Sequence, residues 1–429
     1  MLWPSAHPDH AAEVARLHPT AAPVASAPAT VPVMGEYGDD TGGTVIIAHT
    51  TYRSAVAASP IAEDVVRVQV HARDVDGTTT TFSETIGWSR VVELMDQPPA
   101  AHAELRAAYP WAWRLSTLIA SLGWRPSTTS GHAGLEITVF TDIPDVEGFG
   151  RFEATEAALA LLIHSESTAK DDAPGRTRVV DTLVHHAATL APQPVLPARY
   201  HAALRSAGAT TKPHLVVLDH ADGSVTAAAH LSQDGGQPHV VIGVYAPGER
   251  PAPAEASATR RACMAAACST FGVTTLRSLP DAPERIHDWV QALHIHHSHS
   301  DTPVPDYVPS AREAQEWAEF FAAEDERAQH TAMFLRSRRE SQAYEALNAS
   351  AAALAAHCAT GSPLDEHLTA LVQLCRTRGA VAARPLEWGV SPAVLAVVPQ
   401  SRAQHTIAEL SEDGCVVVAL GTGTTACMH

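Results

Sequence analysis

Stretches of β-branched apolar residues and stretches with helical spacing follow one another along the chain. Residues 44–59 (TVIIAHTTYRSAVAAS) and 65–74 (VVRVQVHARD) are rich in residues that favour strands. The segment DVDG at 74–77 supplies a turn before TTTTFSET at 78–85, so the pattern predicts a β-hairpin. Residues 100–124 carry apolar side chains at helical spacing and stop near Gly123, which predicts one long helix.

The rest of the chain mixes both kinds of pattern. Strands are predicted at 134–145, 214–231, 239–246, 393–399 and 415–420. Helices are predicted around Ala11–Leu17 and at 154–166, 258–272, 311–341 and 362–379. The segment GERPAPAEAS at 248–257 has the composition of a linker. This order predicts an α+β protein with two α+β layers packed side by side.

Charge and composition narrow the class of partner. The formal net charge is −18, from 29 Lys and Arg against 47 Asp and Glu, and the only lysines are Lys170 and Lys212. Because such an acidic surface repels phosphate backbones and anionic lipid, we expect no nucleic-acid partner and no membrane surface. No uncharged apolar run reaches the roughly 18–20 residues that span a bilayer, and residues 1–18 do not have the pattern of a signal peptide. Six scattered cysteines make no disulfide framework, so the expected location is the cytoplasm.

Two glycine-containing segments carry candidate chemistry. In GEYGDDTGG (35–43), Glu36, Asp39 and Asp40 could bind sugar hydroxyls or a metal, although glycine and aspartate also simply form surface turns. In PDVEGFGRFEATEAAL (144–159), a loop between a strand and a helix could cradle phosphate. Glu153 and Glu156 in the first turn would repel a phosphate, and no Walker lysine is present, so this segment argues against a phosphate site.

The third candidate is HIHHSHSD at 294–301. His294, His296, His297, His299 and Asp301 could bind zinc or nickel if this segment were extended, whereas an exposed loop would acquire metal only adventitiously. Metal ligation is therefore the weaker of the two interpretations.

Taken in order, three segments resemble motifs of the galactokinases, in the GHMP small-molecule kinase superfamily. That family opens with APGRVNLIGEHTDYNGG, where this chain reads APATVPVMGEYGDDTGG from Ala27 to Gly43. Its motif PLGAGLSSSAALE lies over PDVEGFGRFEATE from Pro144 to Glu156, and its motif ARMTGGGFGGCVVA lies over ARPLEWGVSPAVLA from Ala383 to Ala396. The resemblance implies a two-domain GHMP kinase fold with sugar and ATP in an interdomain cleft. It divides the chain into a lead-in at 1–25, an N-terminal galactokinase-like domain at 26–225 and a C-terminal domain at 226–429.

The resemblance also implies where the working residues would lie. The family's sugar-binding glutamate and aspartate match Glu36 and Asp39, and the histidine between them is Tyr37 here. The catalytic arginine falls on Thr30, and the catalytic aspartate falls within a residue or two of His201. A tyrosine that packs on the sugar falls on Ala256 or Ser257.

The nucleotide motifs depart further from the family. In the phosphate loop, Gly148 matches a family glycine, whereas the family's three serines become Gly150, Arg151 and Phe152. The third motif keeps only Gly389 of its glycines, the others becoming Glu387, Trp388, Ser391 and Pro392. Side chains at these positions block close approach of a ligand, and proline removes a donor N–H.

Three functions follow as hypotheses. The first is a catalytically impaired pseudokinase that binds a sugar or a protein partner and needs no cofactor. The second is an active ATP-dependent sugar 1-kinase, which would need Mg-ATP and a replacement base such as His201 or Asp181. The third is a scaffold that binds metal through the histidines of 294–301.

Overall fold

The computed structural model describes residues 7–36, 38–126, 133–167, 172–190, 196–205, 214–232, 238–248, 255–299, 303–358, 366–389 and 391–429. In chain order, the elements of the first half are α1 (His10–Leu17), β1 (Val24–Met34), α2 (Gly38–Thr41), β2 (Thr44–Ile61), β3 (Val65–Arg73), β4 (Thr79–Gly87), α3 (Trp88–Met95), α4 (Ala103–Ala108), α5 (Pro110–Ser121), β5 (Gly134–Thr141), α6 (Arg151–Ser167), α7 (Ala173–Leu190), α8 (Pro197–Leu204), β6 (His214–Asp219) and β7 (Ser224–Ala229). Those of the second half are β8 (His239–Tyr245), α9 (Glu255–Phe271), α10 (Ala282–Ser298), α11 (Ala311–Arg336), α12 (Glu340–Cys358), α13 (Glu366–Thr377), β9 (Ala382–Pro385), β10 (Val394–Pro399), α14 (Ala403–Glu412), β11 (Val416–Ala419) and β12 (Cys427–Met428).

The strands form two sheets. The larger has the order β12-β1-β2-β5-β3-β4, with the β6–β7 hairpin also paired to the first part of β2. All its pairs are antiparallel except β3 with β5. The smaller sheet is antiparallel in the order β11-β8-β10-β9. The α+β class predicted from the sequence is therefore confirmed.

Strand β1 lies inside the sheet although its sequence contains prolines, which disfavour an interior strand. It reads VASAPATVPVM, and all 11 residues are buried. Proline lacks the N–H that a ladder needs, and the pairing of β1 with β2 shifts register between Pro28 and Thr30 and again between Pro32 and Met34. These irregularities let a proline-containing strand lie inside the sheet. We expected no strand before residue 44, so this strand was missed.

Two predicted helices have different bounds in the structure. The single helix predicted over 100–124 is wrong, because α4 ends at Ala108 and α5 begins at Pro110. Proline disfavours helical conformation in the residue before it and suits the first turn of a new helix. The helix predicted over 311–341 ends at Arg336, and Arg338 has a positive φ of 55° before α12 begins.

A shared core joins the two sheets. One buried cluster contains Val31 and Ile46 of the larger sheet together with Val241 and Leu395 of the smaller. The C-terminal strand β12 crosses back to pair with β1, so the first sheet takes strands from both ends of the chain. None of the helices in the described ranges is long and apolar enough to cross a bilayer.

Candidate functional site

The first motif forms the connection between β1 and β2. Gly35 has a φ of 78°, and a Cβ there would lie 1.9 Å from the Thr44 carbonyl oxygen, so the tight turn requires glycine. Asp39 lies in the four-residue helix α2. Tyr37, the third residue predicted to bind sugar, lies outside the described residues. This segment is thus the turn that closes a strand pair, and the roles of Tyr37 and Asp39 in sugar binding stay predictions.

Glu36 is fully buried in a network of ion pairs. Its Oε1 accepts from Arg384 Nη1 at 2.5 Å and from the Glu387 backbone N–H at 3.1 Å, and its Oε2 accepts from Arg384 Nη2 at 2.7 Å. Arg384 also donates to Glu324 at 3.1 Å and to Ser350 Oγ at 2.8 Å. Burial disfavours the charged guanidinium, but Glu36 and Glu324 outweigh this and raise the Arg384 pKa. Both oxygens of Glu36 are thus already bonded within the protein.

The phosphate-loop segment connects β5 to α6. Arg151 begins this helix, but its guanidinium donates to the Ile143 carbonyl oxygen at 2.8 Å from Nε and pairs with Asp145 at 3.0 Å. Phe152 packs against Trp111, with ring centroids 4.6 Å apart. Neither side chain replaces the hydroxyls that the family's serines supply.

The third motif touches this loop directly. Ser391 Oγ donates to the Glu147 carbonyl oxygen at 2.5 Å, which ties the two loops together. Glu387 follows β9 and has a φ of 49°, in the left-handed region that favours glycine. The backbone therefore keeps a glycine-like conformation where the side chain has become a carboxylate.

Arg199 joins all three motif segments at one point. This side chain of α8 is only 1 % exposed. Its Nη1 donates to the Thr30 carbonyl oxygen, and its Nη2 donates to the Gly148 carbonyl oxygen at 2.8 Å and to the Glu387 carboxylate. A Cβ on Gly150 would lie 2.6 Å from Arg199 Nη1, so the guanidinium lies directly against the phosphate loop. Sequence reasoning missed Arg199 because nothing near it in the chain marks it as a site residue.

His201 lies two residues beyond Arg199 but does not share its environment. Residues two apart in a helix point in nearly opposite directions, and His201 Nδ1 is 2.9 Å from Arg205 Nη1. Burial, helped by Arg205 and His220, lowers the His201 pKa to about 3. The second base candidate, Asp181, is exposed on α7. Neither His201 nor Asp181 is therefore among the described residues that bind Arg199 next to Thr30.

The pKa of Glu387 is shifted upward, opposite to that of His201. Burial raises its pKa, Arg199 lowers it in part, and Glu153 and Glu36 raise it further. A second buried pair, Arg114 with Glu156, lies on the neighbouring helices, where Glu156 also accepts from Tyr200 OH. Of the acidic side chains of the second motif, Glu156 is thus paired inside the protein, whereas Asp145 and Glu147 are exposed.

The histidine segment is helical. His294, His296 and His297 belong to α10, and His294 Nε2 lies 2.8 Å from the Pro309 carbonyl oxygen. Residues 294–298 are therefore neither extended, as the metal hypothesis required, nor an exposed loop, as the alternative interpretation assumed, and Asp301 lies outside the described residues. Among the described residues, no group of three or more His, Cys, Asp or Glu is placed to hold a metal ion.

Comparison with solved structures shows that this chain shares the fold of galactokinase and mevalonate kinase. No protein-family model and no curated protein sequence matches the chain. The structure matches Lactococcus lactis galactokinase complexed with galactose with a TM-score of 0.69 and 13 % identity, covering 97 % of this chain and 98 % of that one. It matches Methanococcus jannaschii mevalonate kinase with a TM-score of 0.57 and 10 % identity, over 95 % and 100 % of the two chains. The L. major mevalonate kinase in complex with R-mevalonate gives 0.53 and 12 %, over 93 % and 96 %.

The chain therefore has the GHMP kinase fold over nearly its whole length, and its likeness to a galactokinase extends across both sheets. The fold expected from the three collinear motifs is confirmed. At these identities the likeness establishes the fold, and function has to be argued from the site.

Proposed function

We propose that this chain is a pseudokinase: a galactokinase-like protein that transfers no phosphoryl group and acts by binding a small molecule or a protein partner. The observation that carries the proposal is the buried Arg199 guanidinium, which occupies the point where the three motif segments meet.

Mg-ATP does not fit these residues. A phosphate loop binds its anion through backbone N–H groups that point at the ligand. Here the Gly148 carbonyl oxygen and the Glu387 carboxylate point at the same place, and both already bind Arg199. Displacing Arg199 would leave Glu387 largely buried without its cation, and truncating one partner of such a pair costs about 3–5 kcal/mol. We therefore expect no nucleotide cofactor.

The losses expected for catalysis are large. A cation that stabilises the transferring phosphoryl group contributes about 10³–10⁵-fold, and general-base assistance contributes about 10²–10⁴-fold. Thr30 supplies no cation, and His201 faces Arg205. Together these changes would leave little rate above background.

One observation favours the alternative, an active sugar 1-kinase. Arg199 brings a guanidinium to within 3.3 Å of Thr30 Oγ1, the residue that matches the family's catalytic arginine. If α8 moved so that Arg199 entered the cleft, this cation would be available to a phosphoryl group. The same residue thus decides between the two functions.

The contacts of Glu36 limit how a sugar could bind to this protein. A sugar hydroxyl could reach this carboxylate only by displacing Arg384, which contacts it through two nitrogens. Sugar binding through Glu36 alone is therefore disfavoured, and a protein partner or a ligand bound elsewhere agrees better with this geometry. The excess of acidic residues still disfavours nucleic acid and membrane surfaces.

The deciding experiment measures phosphoryl transfer and binding together. The purified chain is incubated with Mg-ATP and a panel of hexoses that includes galactose, and hexose 1-phosphate is quantified beside an active galactokinase. We expect no product above the no-protein blank, and no thermal stabilisation by Mg-ATP, whereas a ligand at 100 times its dissociation constant would add about 2.7 kcal/mol.

The variants Arg199→Ala and Arg90→Ala complete the test, since Arg90 lies on the surface of α3. Product formed by the natural chain and by Arg90→Ala, but lost in Arg199→Ala, would establish the kinase and overturn the pseudokinase proposal.

A further inference from the structure

Among the described strands, five lie at the edges of the two sheets, and four of these are short or covered. Strands β11 and β12 have only four and two residues. Asn348 of α12 covers the edge at β9, where it binds the Val381 carbonyl oxygen at 2.9 Å and the Ala383 N–H at 3.2 Å. Arg336 of α11 donates to the Ala227 carbonyl oxygen of β7 at 3.2 Å. Such coverage is expected, because an open edge is a template for pairing with another chain.

The fifth edge strand, β4, is long and lacks these features. It has nine residues, and its pairing with β3 runs without a shift of register from Thr79 to Gly87. Residues 78–87 (TTTTFSETIG) contain no proline, lysine or arginine, and their one charged residue is Glu84. The Glu84 carboxylate accepts from the Ala112 N–H of α5 at 2.8 Å. Strand β4 thus has no bulge, no proline and no unbound charge to protect its edge.

The hydrogen bonds at the two ends of the β3–β4 hairpin show which backbone groups of β4 point outward. The Asp74 N–H donates to the Thr78 carbonyl oxygen at 2.8 Å, and the Trp88 N–H donates to the Asp64 carbonyl oxygen at 3.2 Å. Hydrogen-bonded and non-hydrogen-bonded pairs alternate along an antiparallel ladder. The even-numbered residues of β4 therefore bond to β3, and the N–H and C=O groups of the odd-numbered residues point away from it.

The outward groups form a regular row. Gly87 caps α3, so the outward residues are Thr79, Thr81, Ser83 and Thr85. None of the described residues forms a hydrogen bond with the outward N–H and C=O groups of these four residues. The row is therefore open to another strand.

A second copy of β4 satisfies this row completely in one register. Antiparallel pairing about a two-fold axis at Phe82 sets Thr81 opposite Ser83 of the second copy. The same axis sets Thr79 opposite Thr85 of the second copy. Because the four outward residues are symmetric about position 82, each of their N–H groups then meets a C=O group. A register centred on any other residue leaves some of these groups unpaired.

The side chains of β4 agree with the same register. Phe82 is 36 % exposed and packs edgewise against Trp111, with ring centroids 6.2 Å apart. On the axis, Phe82 lies opposite Phe82 of the second copy in a non-hydrogen-bonded pair, in which side chains come closest. Aromatic pairs stabilise an interface beyond the area they bury. Glu84 lies opposite Thr80 of the second copy, so no like charges face each other across the two strands.

We propose that β4 pairs with β4 of a second copy of this chain, so that the two larger sheets join into one continuous sheet across a two-fold axis. One strand edge is a small interface, so the dimer is weak and reversible. Two chains of formal net charge −18 repel each other, and added salt strengthens the dimer because it shortens the range of that repulsion. Strand β4 belongs to none of the three motif segments, so this inference does not depend on the absence of phosphoryl transfer.

The test is sedimentation velocity of the full chain at low and high salt, over about a hundredfold range of protein concentration. We expect a dimer fraction that rises with concentration and with salt. Phe82→Lys should weaken dimerisation about tenfold, because the aromatic pair is lost and like charges meet on the axis. Met333→Lys is the matched control. It adds the same charge at an apolar side chain of α11 that is 46 % exposed, away from β4, and should leave dimerisation unchanged.

Two further measurements test the edge and its register. Ser83→Pro removes an outward N–H and keeps the bonds between β4 and β3, so it should abolish the dimer while thermal unfolding shows that the fold is kept. Mixing Phe82→Lys with Phe82→Glu should restore a dimer, because opposite charges then meet on the axis. The proposal is wrong if the natural chain stays monomeric at every concentration and salt. A dimer that survives both Phe82→Lys and Ser83→Pro, or a mixture that stays monomeric, would overturn it equally.

Discussion

Arg384→Met should lower the free energy of unfolding by about 3–5 kcal/mol, a large part of the total for a typical protein. The substitution removes the cation that pairs with two buried carboxylates, since Glu36 is 0 % and Glu324 1 % exposed. Glu324 would keep Arg327, 2.8 Å away. Among the described residues, Glu36 would keep only the Glu387 backbone N–H as a donor. Urea unfolding followed by circular dichroism measures the change.

A surface pair provides the control for this prediction. Arg378 also binds a carboxylate through two nitrogens, both 2.8 Å from Asp413, but it lies at the surface, where solvent screens the charges. Arg378→Met should therefore change stability far less than Arg384→Met. Equal effects would mean that water reaches Glu36 and that the network is not buried in solution.

As the pH is lowered, the free energy of unfolding should begin to fall near pH 6.5, well above the pH range in which ordinary carboxylates titrate. Three histidines, His49, His186 and His230, are at most 2 % exposed, and burial lowers the pKa of each to about 4. In the unfolded chain their pKa is about 6.5. Between these values the unfolded state binds more protons, so stability is present above pH 6.5 and is lost as the pH falls toward 4.

The expected size is about 1.4 kcal/mol per pH unit for each histidine, or up to about 4 kcal/mol per unit for the three. Glu84 and Glu387, whose pKa values burial raises, act with the opposite sign and offset part of this slope. Unfolding free energies measured from pH 7.5 to 5 give the slope directly.

Two glutamine variants test the origin of the slope. His49 Nε2 lies 2.7 Å from the Ala202 carbonyl oxygen, a bond that a glutamine amide can also donate. His49→Gln should therefore keep the fold and reduce the slope by about one proton. His405→Gln, at an exposed position, should leave it unchanged. A slope that His49→Gln does not alter would show that His49 takes up its proton in the folded state.

The histidine segment shows how far local sequence can mislead. Alternate histidines suggested extended metal ligands, but His294–His297 continue α10 from Ala282, because the packing of Ile286 and Val290 in the helical core fixes the helix. Alternate residues of a helix point to different faces, so the spacing that suits a strand separates the side chains. Composition alone did not reveal this.

The sequence by itself determined most of the strand and helix periods, the turn at 74–77 and the acidic charge, and the resemblance of its three motifs to those of the galactokinases implied the GHMP kinase fold. These features are local or follow one another along the chain. Only the tertiary structure decided which groups meet. Glu36 and Arg384 are 348 positions apart, and Arg199 and Glu387 are 188 apart. Whether a carboxylate is free or paired depends on burial and on neighbours that the fold supplies, so the chemistry of the site was decided at that level.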